Sequence, residues 1–201
     1  MFKRIVAAAA LAGLLSGLLL TAIQQFQVAS LIRQAEVLEA AAGAAPALIL
    51  STAVANVALA MGFALLLGAA FSLRGKAGWR AGLLWGAAGY AVFFAAPSLG
   101  LPPELPGTQA AALHARQWWW LGTVVFSAAG LWLAVFAGNP ALRVLGVALL
   151  LAPHLVGAPQ PSVHASTATA ELASAFTRAT WLANAVFWLA LGGLLGFFYR
   201  R

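Results

Sequence analysis

Seven side chains of this chain can give a lone pair to a metal ion: Glu36, Glu39, Glu104, His114, His154, His164 and Glu171. With no cysteine in the sequence, a disulfide framework, an iron–sulfur cluster, a thiolate metal site and a cysteine nucleophile are all excluded. Carboxylate and imidazole are the donors that suit borderline divalent transition metals. His154 carries the most weight because Pro153 precedes it. Proline has no N–H, so within a helix the carbonyl of Leu149 would lose its partner. A freed carbonyl beside the negative end of a helix dipole favours a cation. The competing reading is a proline that ends the helix and an interfacial histidine bonded to backbone or a lipid headgroup. A metal needs the neutral imidazole, so binding there should weaken on acidification.

The other candidates divide by setting. Glu36 and Glu39 are three residues apart and share a helix face, where two carboxylates could hold a cation; Arg33 could instead pair with Glu36 at the same spacing. Glu104 sits in Leu101-Pro102-Pro103-Glu104-Leu105-Pro106-Gly107, a loop stiffened by three prolines that can present a side chain at little entropic cost. His114 and His164 are further loop contributors on the same side. Arg116-Gln117-Trp118-Trp119-Trp120 has the look of an aromatic belt at a membrane surface, with Arg116 as an anchor rather than a ligand. Asn56 and Asn184, in the outer halves of two apolar runs, either hydrogen-bond between helices or line a pathway.

What must position these groups is a set of membrane spans. Of the 201 residues 63% are apolar and 7% charged, far from the quarter charged in an ordinary soluble domain. Roughly 20 apolar residues cross a bilayer core, and six segments approach that: 5–23, 47–73, 81–96, 115–137, 141–157 and 172–199. They are broken by Arg74-Gly75-Lys76, by Pro97, by Pro102-Pro103, by Gly138-Asn139-Pro140 and by Pro159 with Pro161. No proline interrupts residues 24 to 45, which read as helical, so the first helix should continue well past the membrane; from Lys3 to Leu38 it would be about 54 Å long and project outward. The basic start and its long apolar run, with no clean cleavage site after it, read as a spanning helix rather than a signal peptide. We therefore expect an all-α, polytopic helical bundle of about six spans, forming a single transmembrane domain over residues 1–201.

The net charge of +7 sits between apolar runs rather than on one polar face, so it speaks of membrane orientation and not of nucleic acid. With both termini cytoplasmic, Lys3, Arg4, Arg74, Lys76, Arg80, Arg143, Arg200 and Arg201 all fall inside. Only Arg33, Arg116 and Arg178 fall outside, together with every acid. Eight cations against three favours this orientation over its reverse. Gly13 with Gly17, and Gly192 with Gly196, are spaced for close helix approach and could also bring two copies together. There is no phosphate-cradling Gly-Lys-Ser/Thr loop, no His-Glu-x-x-His and no Gly-x-Ser-x-Gly, so an enzyme is not expected.

Three motifs carry a resemblance: the 101–107 proline loop, Arg116-Gln117-x-Trp119, and Pro153-His154-Leu155-Val156-Gly157-Ala158-Pro159. Phe2-Lys3-Arg4-Ile5 with Gly13 and Gly17, and Ala35-Glu36, are similar too. On these the chain resembles the CbtA family of predicted bacterial cobalt transporter subunits. The resemblance implies a multi-pass protein of the bacterial inner membrane that works on Co²⁺ as a transported ion and binds no permanent cofactor. It also implies a small single-span, His-rich CbtB-like partner and a link to cobalamin-dependent metabolism. The function classes left open are a metal permease with an outward-facing His/Glu site and a noncatalytic subunit that docks another transporter component.

The orientation is testable because the chain has no native cysteine. Single cysteines at positions 98 and 162 should react with an impermeant thiol reagent in intact cells, and one at position 72 should not; labelling at 72 would reverse the topology.

Overall fold

The computed structural model describes residues 2–38, 49–74, 78–163 and 165–200. Glu39, Lys76, His164 and Arg201 lie outside that set. Every long element is helical. The first helix, α1 (Phe2–Ile23), passes through a π-helical turn (Gln24–Val28) directly into α2 (Ala29–Leu38). There follow α3 (Ile49–Arg74), α4 (Trp79–Tyr90), a second π turn (Ala91–Ala95) leading into α5 (Ala96–Gly100), α6 (Leu113–Phe136), α7 (Pro140–Val156) and α8 (Ala170–Arg200). Among the described residues five continuous helical stretches are long and apolar enough to cross a membrane. The sixth, α7, has 17 residues, or about 26 Å of rise.

The expected six apolar runs are thus present, with one boundary corrected. Pro97 does not end the third run; the helix continues through it to Gly100 as a stretch of 22 residues. A proline ring clashes with the carbonyl four residues back, and the widened π turn at Ala91–Ala95, where the Ala96 N–H reaches the Ala91 carbonyl, makes room for it.

Apolar side chains gain little by leaving lipid for another helix, so the helices associate where small residues let backbones touch. A Cβ at Gly13 would lie 2.7 Å from the Met61 backbone, and one at Gly17 would lie 2.6 Å from Val57 Cα; α1 and α3 therefore run antiparallel in contact. The same device joins α4 to α8, where Gly82 and Gly86 meet Gly192 and Gly196 backbone to backbone. It joins α6 to α7 as well, where Gly130 and Gly146 face each other. The α6–α7 hairpin is set by its connection: Asn139 accepts the Ala141 N–H at 2.9 Å and Pro140 opens α7, a capped start that needs few linking residues.

α8 is the centre of the bundle, packing on α4, α1 and α3. Its Trp188, 2% exposed, stacks on Phe93 at 5.5 Å and 7° and meets Phe63 at 4.7 Å. That aromatic stack ties α3, the second π turn and α8 together.

These contacts sort the charges. Gly68 packs on Ile5, Gly196 on Gly78, and Phe71 on both Trp85 and Tyr199. One end of the bundle thus collects the start of α1, the end of α3, the start of α4 and the end of α8, and with them Lys3, Arg4 and Arg80. Trp85 also meets Trp132 and Phe136, bringing the α6–α7 turn and Arg143 to that end. The opposite end holds the described acids and imidazoles.

Leucine at both Gly13 and Gly17 should push α1 off α3, at a cost of about 1–3 kcal/mol per site by the usual penalty of overpacking. The measured outcome should be a melting temperature in detergent several degrees lower; unchanged melting would mean that this interface does not hold the fold.

Candidate functional site

The acid-bearing end is closed by two loops. Residues 101–112 lead from α5 to α6, and residues 157–169 lead from α7 to α8. They are joined by a single antiparallel bridge, Thr108 to Ser166. The Gln109 N–H donates to the Ala165 carbonyl at 2.9 Å, the Thr167 N–H donates to the Gly107 carbonyl at 3.4 Å, and the two hydroxyl oxygens lie 3.1 Å apart. Leu105, 4% exposed, drops into a small apolar cluster with Val28, Ala35, Leu172 and Phe176. The extension of the first helix is therefore packed against α8 and this loop rather than standing free.

Glu104, next to Leu105, forms an ion pair with Arg116 on the first turn of α6, with Nη2 to Oε2 at 3.1 Å. Both side chains keep part of their surface in water, 30% for Arg116 and 28% for Glu104. A pair so hydrated is worth about 0–1 kcal/mol and exchanges partners readily. The anchor reading of Arg116 becomes more specific here: it is the counter-ion of a candidate ligand.

His154 is half-buried on α7, its ring edge-on to Trp119 at 6.2 Å between centroids. Pro153 does not end α7. The helix runs on to Val156, and Gly157 closes it at φ +84, donating its N–H to the Pro153 carbonyl at 3.0 Å. Leu149 still lacks the N–H that a residue other than proline would supply at 153. Trp119 is clasped on several sides, since a Cβ on Gly100 would run into its ring and would lie 3.0 Å from Ala158 Cβ. Its indole N–H is buried without a partner.

The remaining candidates are dispersed. His114 is exposed on the first turn of α6, and Glu171 is exposed on the first turn of α8, where its charge suits the helix dipole. Glu36 is half-buried on α2 and makes no ion pair with Arg33. Arg33 lines an open groove with Ser30, Gln34, Val37, Thr169 and Leu172. Among the described residues no three His, Asp, Glu or Cys side chains come together as a group able to hold a metal.

The polar contacts within the spans separate the two asparagines. Asn56 donates its amide across the α1–α3 interface to Thr21 Oγ1 at 3.0 Å and to Gln24 Oε1 at 2.7 Å, while Thr21 donates to the Gly17 carbonyl at 2.9 Å. Asn184 bonds only within its own helix, to the Thr180 carbonyl at 3.0 Å. Thr21 and Gln24 were not singled out from the sequence, although their spacing of three on a helix with an asparagine-bearing neighbour was there to be read. Thr180 Oγ1 and Ser127 Oγ are buried with no partner.

The family model described as probable cobalt transporter subunit (CbtA) matches residues 2–200, and the chain belongs to that family. Searches of the curated proteins and of the solved structures found no match. The protein is thus a multi-pass membrane protein and a member of a family of probable cobalt transporter subunits.

Replacing Asn56 with Ala should weaken the α1–α3 pairing by about 0.6–1.7 kcal/mol, the range for interhelical hydrogen bonds in membranes. Replacing Asn184 with Ala should cost less, and comparing the two variants by thermal unfolding in one detergent checks the order.

Proposed function

We propose that this chain is the membrane subunit through which a cobalt uptake system captures Co²⁺, or a chemically close divalent transition metal, from outside. His154 is the principal ligand. Glu104 and His164 contribute from the loops and His114 from the first turn of α6, and Glu36 and Glu39 offer a secondary carboxylate pair. What supports this reading is the sorting of charge: the described acids and imidazoles collect at one end of the bundle, alongside Arg33, Arg116 and Arg178, whereas Lys3, Arg4, Arg80 and Arg143 stand at the other with no described acid. That distribution, with its excess of cations at one end, accords with cytoplasmic termini and an outward acid-bearing end in a bacterial inner membrane. Membership in a transporter-subunit family accords with a partner, and we assign the missing ligands to a small His-rich, single-span CbtB-like chain.

A second reading is favoured by one observation. The Glu104 carboxylate is already held by Arg116, as it would be in a subunit that only docks or stabilises another component. Uptake of radioactive cobalt with and without the partner chain separates the two, since a scaffold gives no saturable cobalt binding of its own.

His154→Ala should lower cobalt uptake by about tenfold or more, as loss of ligand-shell groups generally does, with membrane abundance unchanged. His164→Ala should do less. Parental uptake by His154→Ala across external cobalt concentrations would remove this histidine from the site.

A further inference from the structure

We propose that the 101–112 loop is a lid over the acid-bearing end of the bundle, and that Arg116 is a built-in surrogate cation which holds the lid's Glu104 until a divalent ion replaces it. This rests on the reading that a metal is taken at this end.

Four contacts make the loop a lid rather than a passive connection. It is pinned at its centre by the Thr108–Ser166 bridge, and at one side by Leu105, whose apolar seat is formed by α2 and α8. On the other side it is latched by Glu104 to Arg116 on α6. At its base Gly100 abuts Trp119. The loop thus bridges the two parts of the bundle that the helices themselves join least, α2 and α8 on one side and the α6–α7 hairpin on the other.

Beneath the Leu105 seat, α8 offers polar groups facing inward. Phe176 closes the seat; one turn further along the same face is Thr180, whose hydroxyl is buried and unpartnered. Asn184 follows another turn on, and then Trp188 in its aromatic stack. An orphaned hydroxyl in a membrane interior is costly, and an ion that passed the lid would give it a partner. These polar groups of α8 thus lie between the Leu105 seat on one side and the aromatic stack on the other.

The latch has the right chemistry for exchange. One carboxylate can neutralise a guanidinium or coordinate a borderline divalent cation, and the pair is hydrated enough for the two to compete. When the ion takes Glu104, Arg116 is released and the loop loses one of its two lateral holds.

This predicts an effect that a purely structural ion pair would not give. Arg116→Gln removes the competitor and leaves the carboxylate, so cobalt affinity, measured with ⁵⁷Co on membranes carrying the whole chain, should rise about three- to tenfold. Glu104→Gln should weaken it. Weaker or unchanged affinity in Arg116→Gln would overturn the surrogate role. Lid motion is read separately with Thr108→Cys/Ser166→Cys. These residues form a non-hydrogen-bonded antiparallel pair, the closely spaced kind, in a chain with no native cysteine. Oxidation should cut cobalt uptake at least tenfold and a reductant should restore it, while either single cysteine should behave as the parent. Full uptake by the cross-linked protein would sink the lid yet leave the capture site standing. Absence of any saturable cobalt binding in parent and variants alike would sink the capture reading and the surrogate role with it.

Discussion

The position of the central helix in this bundle depends on backbone contact between α4 and α8. Lipid offers apolar side chains nearly the same environment as a neighbouring helix, so burial alone gives little reason to associate. What does is the close fit at Gly82, Gly86, Gly192 and Gly196, where no side chain intervenes. That contact fixes α8 at the centre, and α8 in turn receives α1, seats Trp188 against Phe63 and Phe93, and supplies Leu172 and Phe176 to the cluster around Leu105. A single side chain larger than glycine at Gly192 would meet the backbone of two residues of α4 at once.

The physical features that make a span easy to read are long-range averages. Apolar run length and basic turns recover six helices and the gathering of acids at one end, because membrane thickness and the cost of charge leave few alternatives. Local punctuation is less reliable. Pro97 and Pro153 both look like stops, yet in each case the helix absorbs the ring, by widening at Ala91–Ala95 or by running on to Gly157. In lipid, backbone groups left unpaired are too costly for the chain to unravel where a soluble helix would end.

The candidate site was legible as a list of residue types and not as an arrangement. His154 could be singled out because proline, imidazole and a helix end coincide in sequence. The pairing of Glu104 with Arg116 could not, since it depends on how the 101–112 loop folds back over α6, and no periodicity encodes that. The Thr21–Asn56–Gln24 cluster lies between these cases: Asn56 stands out as an amide in an apolar run, but its partners become evident only once Gly17 and Val57 set the register of α1 against α3.

The brevity of α7 has a consequence for the surrounding lipid. Its 17 residues rise about 26 Å, less than the roughly 30 Å of a typical hydrocarbon core, and among the described residues it rests extensively on α6 alone. The mismatch falls on the bilayer, which thins around this hairpin or draws the helix ends inward at a cost that grows with each ångström. Because His154 lies at one of those ends, acyl-chain length sets how deeply its imidazole sits below the headgroups and how much water reaches it. The lipid composition of the membrane thus becomes a tuning parameter for this histidine, acting without any change in the protein.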